Sequence, residues 1–89
     1  MDDGALQAIV EQGKSLLPIG IMGVSGNFRS GNAVQILGPD NKEIARGLSN
    51  YDSNEVQIIK GQKSEKIESL LGYSYYDEVI NRDDLVLVR

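Results

Sequence analysis

The sequence predicts a small α+β domain, mainly β with short helices. Three observations carry that expectation. Two apolar-alternating runs, Ala33 to Leu37 and Lys42 to Asn50, flank the turn residues Gly38-Pro39-Asp40-Asn41 and read as a β-hairpin. Two short stretches, Asp52–Gly61 and Ser64–Gly72, carry helix start and stop residues. The run Leu85-Val86-Leu87-Val88 is apolar at every position, as in a strand buried on both sides.

The elements follow in order. Asp2 and Asp3 suit a helix N-terminus, and Ala5, Leu6, Ala8, Ile9 and Val10 give one apolar face that ends at Gly13. Met1 is followed at once by these helix-entry residues, an opening that fits a domain read without its neighbour. Gly13 through Ile21 is then a helix-to-strand joint. Gly13 ends the helix, Pro18 cannot continue one, and Ile19 to Val24 is expected to be a strand. Gly26 to Asn32 is a glycine-bounded loop, with Phe28 as a core plug beneath it.

In the second hairpin strand Arg46 lies between Ile44 and Leu48, while Ala45 and Gly47 leave the other face small. Arg46 is expected to run its stem along the sheet. Asp52 with Glu55 three residues on has the form of a capping box, and Gly61 is a plausible stop, so Asp52–Gly61 is expected to be helical although Val56 and Ile58 also alternate as in a strand. In Ser64–Gly72, Ser64 is the expected N-cap, Ile67, Leu70 and Leu71 the apolar face, and Lys63, Glu65, Lys66 and Glu68 the solvated face. Tyr73, Tyr75 and Tyr76 are expected to pack their ring faces and leave the hydroxyls at the rim. Asp77-Glu78 reads as a helix entry and Asn81 to Asp84 as a polar turn.

Composition removes whole classes of function. The 89 residues suggest one domain, which buries only about 60–65% of its unfolded surface. There is no cysteine and no histidine, so disulfides, thiolate metal sites, Cys/His or Ser/His/Asp nucleophilic sets and the commonest general base are all missing. The acidic residues show no Ca²⁺-loop spacing, so no metal site is expected. The neighbouring acids Asp2/Asp3, Asp77/Glu78 and Asp83/Asp84 do not converge as an acid/base pair, because adjacent side chains point apart. Gly13-Lys14-Ser15 looks like the tail of a phosphate-binding loop. That motif needs a glycine where Ala8 stands, and a strand before the loop with a helix after it, the reverse of the order here. The net charge of −4 argues against strong nucleic-acid binding. No apolar run approaches a membrane span and no signal-peptide pattern is present, so the cytoplasm is the expected location.

A series of short stretches resembles one family. They are Asp3-Gly4-Ala5, Gly13 to Ile21, Val24 to Phe28, Gly31-Asn32, Glu43 to Leu48, Asn50-Tyr51, Ile67 to Gly72 and Glu78 to Leu87. In this order, over essentially the whole chain, they resemble the C-terminal PUA domains of bacterial glutamate 5-kinases. The resemblance implies a PUA-like pseudobarrel of mixed strands with peripheral helices. It also implies parent enzymes that move the γ-phosphate of ATP to the γ-carboxylate of glutamate. Their ATP, glutamate and Mg²⁺ sites lie in an N-terminal amino-acid-kinase domain, so no catalytic or cofactor-binding residue carries over to this chain.

Two positions depart from the pattern. Asn81 stands where the family usually has histidine, which keeps a hydrogen-bonding role and removes a protonation role. Gly31-Asn32 stands where Gly-Asp is common. The strand that normally opens the domain is reduced to Met1-Asp2, so the first strand is expected to be largely truncated and its sheet edge unfilled, or filled by a neighbouring chain. The resemblance implies an accessory role: packing on the kinase domain, oligomer assembly or regulation. The alternative it implies is RNA binding, for which Lys14, Arg29 and Arg46 are the candidates, with ordinary surface charge as the competing account.

Overall fold

The computed structural model describes residues 4, 9 and 12–88. Gly4, Ile9 and Gln12 are helical, and the Gly13 N–H closes the helix on the Ile9 carbonyl at 3.2 Å. Gly13 has φ +61°, the left-handed conformation that glycine adopts without a Cβ clash. The expected Asp2/Asp3 cap, and the strand remnant at Met1-Asp2, lie outside the described residues.

The sheet is three-stranded and antiparallel, in the order β1 (Ala33–Leu37), β2 (Glu43–Leu48), β3 (Leu85–Leu87). The hairpin forms as expected. The Gly38 N–H donates to the Lys42 carbonyl, and Asn41 takes φ +65° at the turn. Ile36 pairs with Ala45, but Leu37 pairs with Glu43, so Ile44 is an extra residue in a β-bulge. The bulge explains the irregular alternation of this strand. Ile44 packs against the core, Ala45 and Gly47 also face inward, and Arg46 and Leu48 face out.

Two helices follow. α1 (Ser53–Ile59) has the full capping box: Asp52 Oδ1 accepts from the Glu55 N–H, and Glu55 Oε1 accepts from the Asp52 N–H, both at 2.8 Å. Its inner face buries Val56 and Ile59. α2 (Ile67–Leu71) is preceded by a 3₁₀ turn at Ser64–Lys66 and ends at Gly72, φ +84°. Ser64 therefore does not cap a helix. Its hydroxyl donates to the Asp77 carbonyl, across the chain. Of the expected apolar face, Ile67 is buried and Leu71 half-buried, while Leu70 is exposed.

Three further expectations are corrected. Ile19 to Val24 is not a strand: Pro18–Gly20 is a 3₁₀ turn, with the Gly20 N–H on the Leu17 carbonyl and the Ile21 N–H on the Pro18 carbonyl. The Pro18 carbonyl also accepts from Gly61 N–H, which ties the joint to the end of α1 rather than to a strand neighbour. Asp77-Glu78 starts no helix, because the Asp77, Glu78 and Val79 carbonyls are taken by Ser64 and Asn50. β3 is not buried on both sides. It is an edge strand with Val86 69% exposed, because the core lies on one face of the sheet alone.

The core gathers Ile9, Leu16, Ile21, Ile36, Ala45, Tyr51, Val56, Ile59, Ile67, Val79 and Ile80, with Phe28 packed against it as expected. Its tightest point is Gly47. A Cβ there would lie 2.6 Å from Ile80 Cγ2 and 2.9 Å from the Asp84 carbonyl oxygen. Gly47→Ala is therefore expected to cost about 1–3 kcal/mol in denaturant unfolding. Gly23→Ala, where a Cβ meets nothing within 4 Å, is expected to stay within about 0.5 kcal/mol. Equal midpoints for the two variants would remove the close-packing account.

Candidate functional site

The structure places the three cationic candidates on three different parts of the fold. Lys14 is exposed in the turn just after Gly13. Arg29 is exposed in the glycine loop, where its backbone N–H donates to Asn32 Oδ1 at 2.9 Å. Arg46 projects from the outer face of β2. Its guanidinium makes a forked pair with Glu43, Nε to Oε2 at 2.8 Å and NH2 to Oε1 at 3.0 Å. Residues three apart on a regular strand point to opposite faces. The bulge at Ile44 brings Glu43 and Arg46 to the same face. The Arg46 hydrogen bond holds the Glu43 carboxyl below its ordinary range, and Glu43 raises Arg46 in turn. The guanidinium head is thus engaged within the domain, on the outer face of the sheet.

Arg29 alone of the three lines a polar cleft, of about 670 Å³, together with Asn27, Ser30, Asn32, Asp52 and Asn54. The cleft is built by stapling the glycine loop to the start of α1. The Phe28 N–H donates to Ser53 Oγ and the Ser53 N–H donates to the Phe28 carbonyl. The Gly31 N–H donates to the Ser49 carbonyl at 2.7 Å, which fixes the far side of the loop. Asp52 is committed to its capping role. The lining offers one guanidinium and several amides, a set for hydrogen bonding rather than proton transfer. Among the described residues no three Asp or Glu side chains cluster to hold a metal ion.

The Ser15 hydroxyl, from the tempting Gly-Lys-Ser, accepts the Arg82 N–H at 2.9 Å and serves the fold. Asn81 likewise has a structural role. Its Oδ1 accepts from the Asp83 N–H, and its Nδ2 donates to Glu78 Oε1.

Sequence reasoning missed the role of Tyr51. It is fully buried, its hydroxyl donates to the Tyr76 carbonyl at 2.6 Å, and it accepts from the Tyr75 and Tyr76 N–H groups. Tyr51 lies between a strand and a helix, where no periodicity flags a core position. The tyrosine stretch itself is more open than expected. Tyr73 and Tyr75 rings meet at 5.2 Å, and Tyr76 meets Tyr51 edge-on at 6.4 Å, yet all three are exposed.

The Tyr73 hydroxyl donates to Glu55 Oε2. That hydrogen bond, followed by partial desolvation and the charges of Glu55 and Asp52, pushes the Tyr73 pKa up to about 12. The folded state thus favours protonated Tyr73. The resulting stability is present below the ordinary tyrosine pKa of about 10, and is lost as pH rises through about 12. Near-ultraviolet titration is expected to show a late-ionising component that Tyr73→Phe removes. A late-ionising component left undiminished in Tyr73→Phe would rule out the Glu55 contact.

Comparison with known proteins places this geometry. The PUA domain family model matches residues 1–71. The chain is 58% identical over 99% of its length to a glutamate 5-kinase of Trichlorobacter lovleyi. It is 52% identical, over the same share, to one of Thermoanaerobacter sp. and 56% to one of Pseudomonas entomophila. It spans about a quarter of the length of these curated relatives, 23–24%.

Proposed function

The chain belongs to the PUA domain family, and from that premise we propose that it is the C-terminal, non-catalytic domain of a glutamate 5-kinase. The single observation that supports this most is the identity of 52–58% over 99% of the chain to enzymes of that name. On this reading residues 1–89 are one domain. The complete polypeptide transfers the γ-phosphate of ATP to the γ-carboxylate of glutamate, the first step of proline synthesis. ATP and Mg²⁺ are held by the amino-acid-kinase domain that makes up the rest of the enzyme, not by residues of this chain. On the same reading the enzyme works in the cytoplasm; among the described residues no helix is long and apolar enough to cross a membrane.

The role of the domain itself is accessory: it packs on the kinase domain and contributes to oligomer assembly or regulation. Glutamate-dependent ADP release by the complete polypeptide tests the parentage. A variant ending before this domain is expected to keep phosphoryl transfer while its oligomeric state or its response to proline changes. Loss of the chemistry in a truncated enzyme whose kinase domain remains folded would reject the accessory role.

The exposed Arg29 at the polar cleft favours a second reading, RNA binding with Lys14 and Arg46 as further contacts. Here the pairing of Arg46 with Glu43 and the net charge of −4 weigh against it. A titration of the complete polypeptide with structured RNA is expected to show no binding at low salt. Affinity that falls as salt rises, and that Lys14→Ala or Arg29→Ala weakens, would establish RNA as the partner instead.

A further inference from the structure

Among the described residues, the sheet turns one face to the core and leaves the side chains of the other exposed. Alternation and register put Gln35 and Leu37 of β1, Arg46 and Leu48 of β2, and Val86 of β3 on the outer side. All five are exposed, with Leu48 at 44% and Val86 at 69%. Gln35, Arg46 and Val86 form one row across the three strands. None of these positions is lysine, a residue depleted at interface centres.

The central charge is already compensated. The forked Glu43 pair means that covering this face would bury an ion pair with both hydrogen bonds made, not a lone guanidinium. Aliphatic residues around an arginine match a protein-interface centre, where arginine is enriched and Lys, Glu and Asp are depleted; Glu43 departs from that composition, and its charge is met by Arg46. By contrast, the region around α2 presents Lys63, Glu65, Lys66 and Glu68 to solvent, as a surface that stays wet does.

We propose that this outer sheet face is the surface on which the domain docks against the remainder of its own polypeptide. The proposal rests on the parentage given above. The matched relatives are roughly four times as long as this chain, so a tethered partner is present at high effective concentration. Arg46 then acts as an interface residue, and its pair with Glu43 is preformed for that contact.

Alkylation of single cysteines in the complete polypeptide tests this. Met22, Tyr75 and Val86 are 70%, 72% and 69% exposed in this domain, and the domain has no native cysteine. Met22→Cys, Tyr75→Cys and Val86→Cys, with Leu48→Cys as a second sheet position, would be labelled in the native protein. Rates are read by peptide mass mapping and normalised to the urea-unfolded state. Val86→Cys and Leu48→Cys are expected to react at least roughly tenfold more slowly than the other two, at every protein concentration. Similar rates at all positions overturn the proposal. Protection at 48 and 86 that disappears on dilution also overturns it, and assigns the face to a second copy. Kinase activity of the same samples is the separate check: activity with uniform labelling leaves the parentage standing and removes the docking face, whereas inactivity of the unsubstituted polypeptide removes the parentage.

Discussion

The close approach of Gly47 to Ile80 is the constraint on which the rest of the structure depends. β2 needs a residue without a side chain there, because Ile80 Cγ2 and the Asp84 carbonyl occupy the space a Cβ would take. Once Ile80 is seated, its neighbours collect the rest of the chain. The Leu16 N–H donates to the Ile80 carbonyl and the Val79 N–H donates to the Leu16 carbonyl. Asn50 gives its backbone N–H to Val79 and its side-chain amide to Glu78. A segment without regular structure thus ties two distant parts of the sequence, Leu16 and Asn50, through backbone groups that a regular element would have used internally.

Tyr51 repeats that logic at the other end of the core. Its hydroxyl satisfies three backbone groups of the tyrosine stretch, while its ring fills the centre. Ser49, also buried, closes the turn before it by donating to the Tyr51 carbonyl. Buried polar atoms are therefore costless in unmet hydrogen bonds, and no described buried side-chain N or O lacks a partner. The cleft beside Arg29 and the outer sheet face are both built on this frame: one by loop stapling to α1, the other by a bulge.

What the sequence revealed follows from the range of the interactions involved. The hairpin, the Asp52/Glu55 capping box and the Gly72 stop depend on neighbours within a few residues, and all were legible. The strand expected at Ile19 to Val24 failed because Pro18 spends its carbonyl on Ile21 and Gly61, one of them far along the chain. Ser64 failed as a cap for the same reason, its hydroxyl being drawn to Asp77. Leu85–Val88 misled because apolar residues on both sides of a strand say that both sides avoid water, not that this chain alone covers them. The family pattern was fully legible. The pairing of Arg46 with Glu43 was not, since a bulge cannot be read from charge spacing.

The tie between Ser15 and Arg82 also bears on the order in which the domain can close. Ser15 and Arg82, joined by a hydrogen bond, are 67 residues apart, and the core between them is open until both are present. During synthesis, the hairpin and α1 can form early, but β2 has its second partner strand only after Leu85–Leu87 has left the ribosome. Ring closure over so long a stretch carries most of its entropic cost before the contact is made. Until the last strand is added, the flank of β2 that pairs with β3 is an open edge, so shelter for that edge depends on the end of the domain.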